Sequence, residues 1–260
     1  MMLNLTIGDL MIDCAKAERA RDFYADLTGW EKTVAYNCLA IKTDKDLTIL
    51  FTGTDTPYVP PIWPEETDEQ QKQMHFDFTV DDVPAAVDKA IRLGATKAAM
   101  QYGGDDCVTM FDTEGHPFCL CKRINEVDFG VHFNSKYYSM LADYSLNIDC
   151  PDTKALREFY SGLTSWDQGF HWTSLVADGG MNVHFMQCDF DYIPPVWPEE
   201  PGKQQKQMHF NFQVNDLSAA VEEAIRLGAT KAAEQYGGDD FVTLLDPVGH
   251  PFCLCRRGNA

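Results

Sequence analysis

Residues 73–123 read QMHFDFTVDDVPAAVDKAIRLGATKAAMQYGGDDCVTMFDTEGHPFCLCKR, and residues 207–257 read QMHFNFQVNDLSAAVEEAIRLGATKAAEQYGGDDFVTLLDPVGHPFCLCRR. The second stretch repeats the first without a gap, at a shift of 134. Repetition at a fixed offset constrains a fold before any local pattern does. Upstream, YVPPIWPEE (58–66) returns within DYIPPVWPEE (191–200) at the same shift. Further upstream, CAKAERARDFYADLTGW (14–30) returns as CPDTKALREFYSGLTSW (150–166), now shifted by 136, so the second copy is two residues shorter in between. The chain is a tandem duplication. Its copies span 6–124 and 142–258, and 125–141 is a linker whose Phe129, Phe133, Tyr137 and Tyr138 suit packing on a surface.

Within MHFDFTV, Phe76, Phe78 and Val80 alternate with His75, Asp77 and Thr79. Period two puts the phenylalanines on one sheet face and the histidine on the other. Asp82 then caps a helix with an apolar stripe of Val83, Ala86, Val87, Ala90 and Ile91, and Gly94 ends it. Asp216, Leu217, Ala220, Val221, Ala224, Ile225 and Gly228 take these roles in the second copy. Three strands follow, around Lys97–Gln101, Cys107–Phe111 and Pro117–Lys122. The front half of each copy has the same order: a strand ending near Cys14 or Cys150, a helix carrying Tyr24 or Tyr160, then strands including Leu47–Phe51 or Met181–Met186. The Pro-Pro-x-Trp-Pro stretch is an ordered loop, because neither helix nor strand interior tolerates it. The expected fold is α+β, with four βαβββ modules forming two cup-shaped, mainly antiparallel sheets. Helices cover the Phe76/Phe78 face, and His75, Asp77, His209 and Asn211 look into the hollows.

The composition narrows the function. Asp and Glu outnumber Lys and Arg by 40 to 21, a formal net charge of −19. Such a surface repels phosphate backbones, so nucleic acid is excluded as a partner, and cationic small molecules are drawn toward any cleft. No run approaches the roughly 20 apolar residues of a membrane span. The start lacks a secretory leader pattern, and nine cysteines form no disulfide framework. Free thiols in the cytoplasm are the expectation. Cys119 with Cys121, and Cys253 with Cys255, share a strand face about 7 Å apart, too far for an unstrained bond within either pair. No phosphate loop, dinucleotide fingerprint or nucleophile elbow is present.

The βαβββ order, the CPD-then-FY helix start, the PPxWP loop, the QxHxDFxVDD strand, the LGAT helix end and the DPxGHPFCL close resemble the vicinal oxygen chelate superfamily. That superfamily holds glyoxalase I, extradiol dioxygenases and bleomycin-resistance proteins, and the glyoxalase-like branch matches best. The resemblance implies a cup-shaped ligand site for each pair of modules, paired within or across copies, and a pseudo-dimer within one chain that is itself monomeric or dimeric.

In metal-using relatives, one ligand comes from the position of His75 and His209, and a glutamate from that of Cys119 and Cys253. The front-module positions correspond to Asp9 and Leu50 in copy one, and to Ser145 and His184 in copy two. Leu50 cannot ligate, and thiolate favours tetrahedral zinc over octahedral oxygen and nitrogen sites. Cysteine is also a poor base beside glutamate.

The expectation is therefore a cup lined by His75, Asp77, Trp63, Cys119, His209, Asn211, Trp197 and Cys253 that binds a small organic molecule without a cofactor. The alternative is a lyase, isomerase or dioxygenase using Zn, Ni, Mn or Fe, with Asp9, His75 and Cys119, or His184, His209 and Cys253, as donors. The second copy is the better metal candidate. His116 and His250 have a structural role in their turns. Trp63 and Trp197 either lid the cups or dock on the neighbouring module.

Overall fold

The structure is a computed structural model, and it describes residues 5–66, 68–123 and 143–258. The expected linker lies outside the described residues. Copy one forms β1 (Thr6–Asp13), α1 (Ala17–Thr28), β2 (Glu31–Ala35), β3 (Cys38–Lys42) and β4 (Thr48–Thr52), then β5 (Met74–Val80), α2 (Val83–Arg92), β6 (Thr96–Lys97), β7 (Cys107–Phe111) and β8 (Pro117–Lys122). Copy two forms β9 (Tyr144–Cys150), α3 (Thr153–Leu163), β10 (Asp167–Gln168), β11 (Ser174–Val176) and β12 (Asn182–Gln187), then β13 (Met208–Val214), α4 (Leu217–Arg226), β14 (Thr230–Lys231), β15 (Phe241–Leu245) and β16 (Pro251–Arg256). The α+β reading and the four modules hold. The strand expected over Lys97–Gln101 shrinks to Thr96–Lys97, because the Gln101 side chain bonds the Ala98 and Thr109 carbonyls and closes a turn there.

The helix starts follow from their caps. Asp82, Asp152 and Asp216 each accept the backbone N–H three residues on, at 2.9, 2.9 and 3.0 Å. Each satisfies one of the N–H groups that a helix start leaves open. Lys16 precedes α1 with no such bond.

Two eight-stranded sheets result, ordered β14-β15-β16-β13-β1-β4-β3-β2 and β10-β11-β12-β9-β5-β8-β7-β6. Each joins modules from different copies. β1 of copy one pairs antiparallel with β13 of copy two, and β5 of copy one with β9 of copy two. Within each module the outer strands pair antiparallel, while the first strand runs parallel to the last.

The core lies between the sheets. Tyr24 of α1 touches Phe51 of β4 and also Phe76, Phe78 and Phe118 of the other sheet, with ring centroids 5.9 to 6.4 Å apart. Tyr160 of α3 does the same with Phe185, Phe210, Phe212 and Phe252. Phe76, Phe118, Phe185, Phe210, Phe212 and Phe252 are fully buried, and each such ring contributes about 1.5–3 kcal/mol. The alternation in MHFDFTV thus faces its phenylalanines to the helices, as read from the sequence.

The segments just before β5 and β13 meet at the join between copies. Gln71 N–H donates to Gln204 Oε1 at 2.7 Å, and Gln204 Nε2 returns a bond to the Gln71 carbonyl at 2.9 Å. Gln205 N–H donates to Gln70 Oε1, and Gln207 Nε2 to the Gln71 carbonyl, both at 2.7 Å. These buried backbone groups lie outside any ladder, and the glutamine amides satisfy them.

Candidate functional site

Because modules pair across copies, each cup draws on both. The first cup is framed by β1 and β4 of copy one with β13 and β16 of copy two. Asp9 stands opposite Asn211, Met11 opposite His209, and Asn211 beside Cys253. These neighbours share one face, and they line a cavity of about 720 Å³. Asn211 Nδ2 donates to Asp9 Oδ1 at 2.6 Å. Burial pushes the Asp9 carboxyl up to about 6, against that bond. Burial, then the nearby Lys206 and His250, hold the His209 imidazole well below its ordinary value, so it is neutral. Its Nδ1 is buried without a hydrogen-bond partner. Burial also pushes the Cys253 thiol to about 11, so it is no thiolate at neutral pH, and its sulfur lies 3.5 Å from Thr243 Oγ1.

The wall of this cavity is aromatic, with Tyr36, Trp197, Tyr236 and Phe241. Trp197 sits on the Pro-Pro-x-Trp-Pro loop, edge-on to Tyr236 at 6.0 Å. Lys206 lies over its ring at 5.3 Å, bonded to Glu199 at 2.8 Å and to Asp13 at 2.5 Å.

The second cup is framed by β5 and β8 of copy one with β9 and β12 of copy two. His75 stands opposite Asn147, Asp77 opposite Ser145 and beside Cys119, and His184 beside Asn147. One ligating atom each from His75, Asp77 and Cys119 lies within 4.8 Å of the other two. His75 Nε2 is 3.4 Å from Asp77 Oδ1. Burial pulls His184 down to about 4, although Asp77 works the other way. His75 Nδ1, His184 Nε2, Ser145 Oγ and Asn147 Nδ2 are buried without hydrogen-bond partners. Burial, then Asp77, raises the Cys119 thiol well above its usual range. Lys72 repeats the role of Lys206, over the Trp63 ring at 4.8 Å, with Glu65 at 3.3 Å and in contact with Asp149.

These positions regroup the expected donors. Asp9, His75 and Cys119 do not meet as one copy's set, because Asp9 lies in the first cup. His184 and His209 do not meet either, so the preference for copy two as metal holder does not stand. His184 lies in the same cup as His75 with Asn147 of β9 between them, and Asp77 flanks His75. The expectation of nine free thiols fails at Cys107 and Cys121, which are disulfide-bonded. They stand directly opposite on β7 and β8, a register that the spacing along one strand does not reveal. Phe241 takes the Cys107 position in copy two, and Cys255 is free. His116 and His250 are buried and hydrogen-bonded in their turns.

The sequence reading missed Lys72 and Lys206 with their carboxylates. The signal was the identical QQKQMHF run at 70–76 and 204–210. It also missed Tyr36, in a turn, and Tyr236, in a loop, neither of which lies in a periodic element.

The glyoxalase-like domain model matches residues 9–121 and again 145–255. The chain belongs to the glyoxalase-like family. It is a tandem member of the vicinal oxygen chelate superfamily. Among solved structures, glyoxalase I from Zea mays is similar at 12% identity, covering 98% of this chain and 93% of that one, with a TM-score of 0.62. A putative dioxygenase from Bacillus subtilis is similar at 9% identity, covering 98% and 86%, with a TM-score of 0.54. At these identities the likeness is one of fold. No curated protein matches the sequence. Among the described residues, no helix is long and apolar enough to cross a membrane.

Proposed function

We propose that this glyoxalase-like protein binds a small organic molecule in the first cup, without a glyoxalase-type metal there. The observation that carries this reading is the cavity of about 720 Å³, with a polar floor of Asp9, Asn211 and His209 and an aromatic wall. Apolar walls around a few convergent polar groups are what ligand sites share. A divalent metal of the glyoxalase type does not fit this cup. Leu50 occupies a ligand position, and Asn211 engages Asp9.

A second reading belongs to the second cup. There His75, Asp77 and Cys119 offer nitrogen, oxygen and sulfur donors within 4.8 Å of one another, and the unpartnered His75 Nδ1 supports a bound ion. Zinc or another borderline divalent cation suits that donor set. Such an ion would polarise a substrate oxygen, and His75, Asp77 and Cys119 would hold it. Both readings concern small molecules and leave nucleic acid and membranes aside.

One experiment separates them. Chelator-stripped protein is titrated calorimetrically with naphthalene-sized aromatic probes, then incubated with Zn, Ni, Mn or Fe and analysed for metal. Probe binding before metal is added is expected for the first reading, and its absence would remove that reading. Metal below about 0.1 per chain after incubation, in wild type and in His75→Ala alike, would remove the second.

A further inference from the structure

The first cup carries more than a shape. Asp9, Asp13, Asp55, Glu199 and Asp240 all contribute to its lining. Lys206 is committed to Asp13 and Glu199, and it already covers the Trp197 ring. Arg256 also lines the cavity, and its Nε donates to the Asp239 carbonyl. None of Asp9, Asp55 and Asp240 is in an ion pair among the described residues, so the cavity has an excess of negative charge.

Beside this charge lies an independent feature. His209 is 4% exposed and lines the same cavity, and its Nδ1 is buried there without a partner. His209 lies two residues from Asn211 on β13, and Asn211 faces Asp9 across the ladder. Diagonal neighbours on one sheet face are about 7–8 Å apart between Cα atoms, so one small group can reach both side chains. A neutral imidazole nitrogen and a carboxylate oxygen both accept hydrogen bonds. A carboxylate without a counter-ion in an acidic hollow calls for a donor that carries positive charge.

We propose that the first cup takes a protonated aromatic amine, its ammonium bonded to Asp9 beside the His209 imidazole and its ring against Tyr36, Tyr236 and Phe241. This rests on the binding reading of the preceding subsection and specifies its ligand class. A charge-assisted bond to the carboxylate supplies selectivity, and the rings supply contact area and cation–π attraction. An anionic ligand of the same size meets unpaired carboxylates instead. The second cup is arranged differently: Ser145 stands where the first cup has Asp9, and its carboxylate, Asp77, sits on the same strand as His75 and 3.4 Å from it.

The test is calorimetric titration of the full chain with three naphthalenes of matched size: 2-naphthylmethylamine, 2-naphthylmethanol and 2-naphthoate. At pH 7.5 the amine is expected to bind at least tenfold more tightly than the alcohol, with no binding of the carboxylate. Asp9→Asn should remove most of that preference. Lowering the pH of wild-type protein to 5 gives the same readout without a substitution, since protonation of Asp9 should erase the advantage of the amine. Equal binding of amine and alcohol, tighter binding of the carboxylate, or a preference that survives both Asp9→Asn and acid would each overturn the proposal but leave the binding reading standing. Failure of all three probes would overturn both.

Discussion

At the scale of single residues, the duplicated turns have taken opposite protonation states. Burial alone would raise the Asp112 carboxyl, but the His116 charge and hydrogen bonds hold it below its usual range. Burial works to lower His116, and Asp112 at 3.0 Å outweighs it, so the imidazole is held protonated. In copy two, burial pushes Asp246 up to about 7 and pulls His250 down to about 4. Asp246 Oδ2 there accepts from the Tyr160 hydroxyl at 3.1 Å rather than from the histidine. The signs follow from linkage. Asp112, depressed, stabilises above the ordinary carboxylate value of 3.8 and loses this as pH falls through its folded value. His116, raised, stabilises below 6.5 and loses this as pH rises through its folded value. Asp246, raised, contributes fully only below 3.8 and loses this as pH rises through about 7. At pH 6, Asp112→Asn should therefore cost about 2 kcal/mol in urea unfolding, the worth of a charged hydrogen bond. Asp246→Asn keeps its backbone bonds at Oδ1 and should be stabilising at pH 6 and more so at pH 8, because the amide escapes the proton uptake that folding imposes on Asp246 above 3.8. Equal losses in the two variants would contradict the assignment. The repeated Gly-His-Pro was legible in sequence, but the protonation states were not, because they depend on which distant group approaches each carboxylate.

At the scale of elements, the Pro-Pro-x-Trp-Pro loops are tied down by buried lysines. Lys206 of copy two holds its own loop through Glu199 and the end of β1 through Asp13. The loop also presses on the glycine turn before β16: a Cβ on Gly249, whose φ is +90°, would meet Pro194 at 2.7 Å. Removing one partner of a buried ion cluster leaves charge without compensation, at a cost of about 3–5 kcal/mol. Lys206→Met should lower the unfolding temperature accordingly. The triple variant Lys206→Met, Asp13→Asn, Glu199→Gln should recover more than half of the loss, since no orphaned charge remains. A triple variant as unstable as the single one would show that the lysine acts by packing alone. The loop itself was legible from its prolines. Its anchor was not, because Asp13 and Lys206 are almost two hundred positions apart and neither stands out locally.

At the scale of the whole molecule, each sheet takes half of its strands from each copy, so neither copy contains a complete cup. The glutamine and lysine seam binds the copies where β5 and β13 begin. A protease recognition sequence inserted between residues 124 and 142 should therefore give, after cleavage, two fragments that co-elute on size exclusion in native buffer and part only in denaturant. Fragments that separate without denaturant would contradict the cross-copy sheets.

By itself, the sequence determined the duplication, the four modules, the helix caps and the face on which each strand residue lies. These rest on period-two and helical spacing, on turn residues and on self-similarity, all of which act over a few neighbours or by direct comparison. Only the tertiary structure decided that β1 joins β13, that His75 shares a cup with His184 and His209 with Asp9, and that Cys107 bonds Cys121. Alternation says which way a side chain points but not which strand comes alongside. That choice is made by buried ion pairs and amide bonds between residues far apart in the chain.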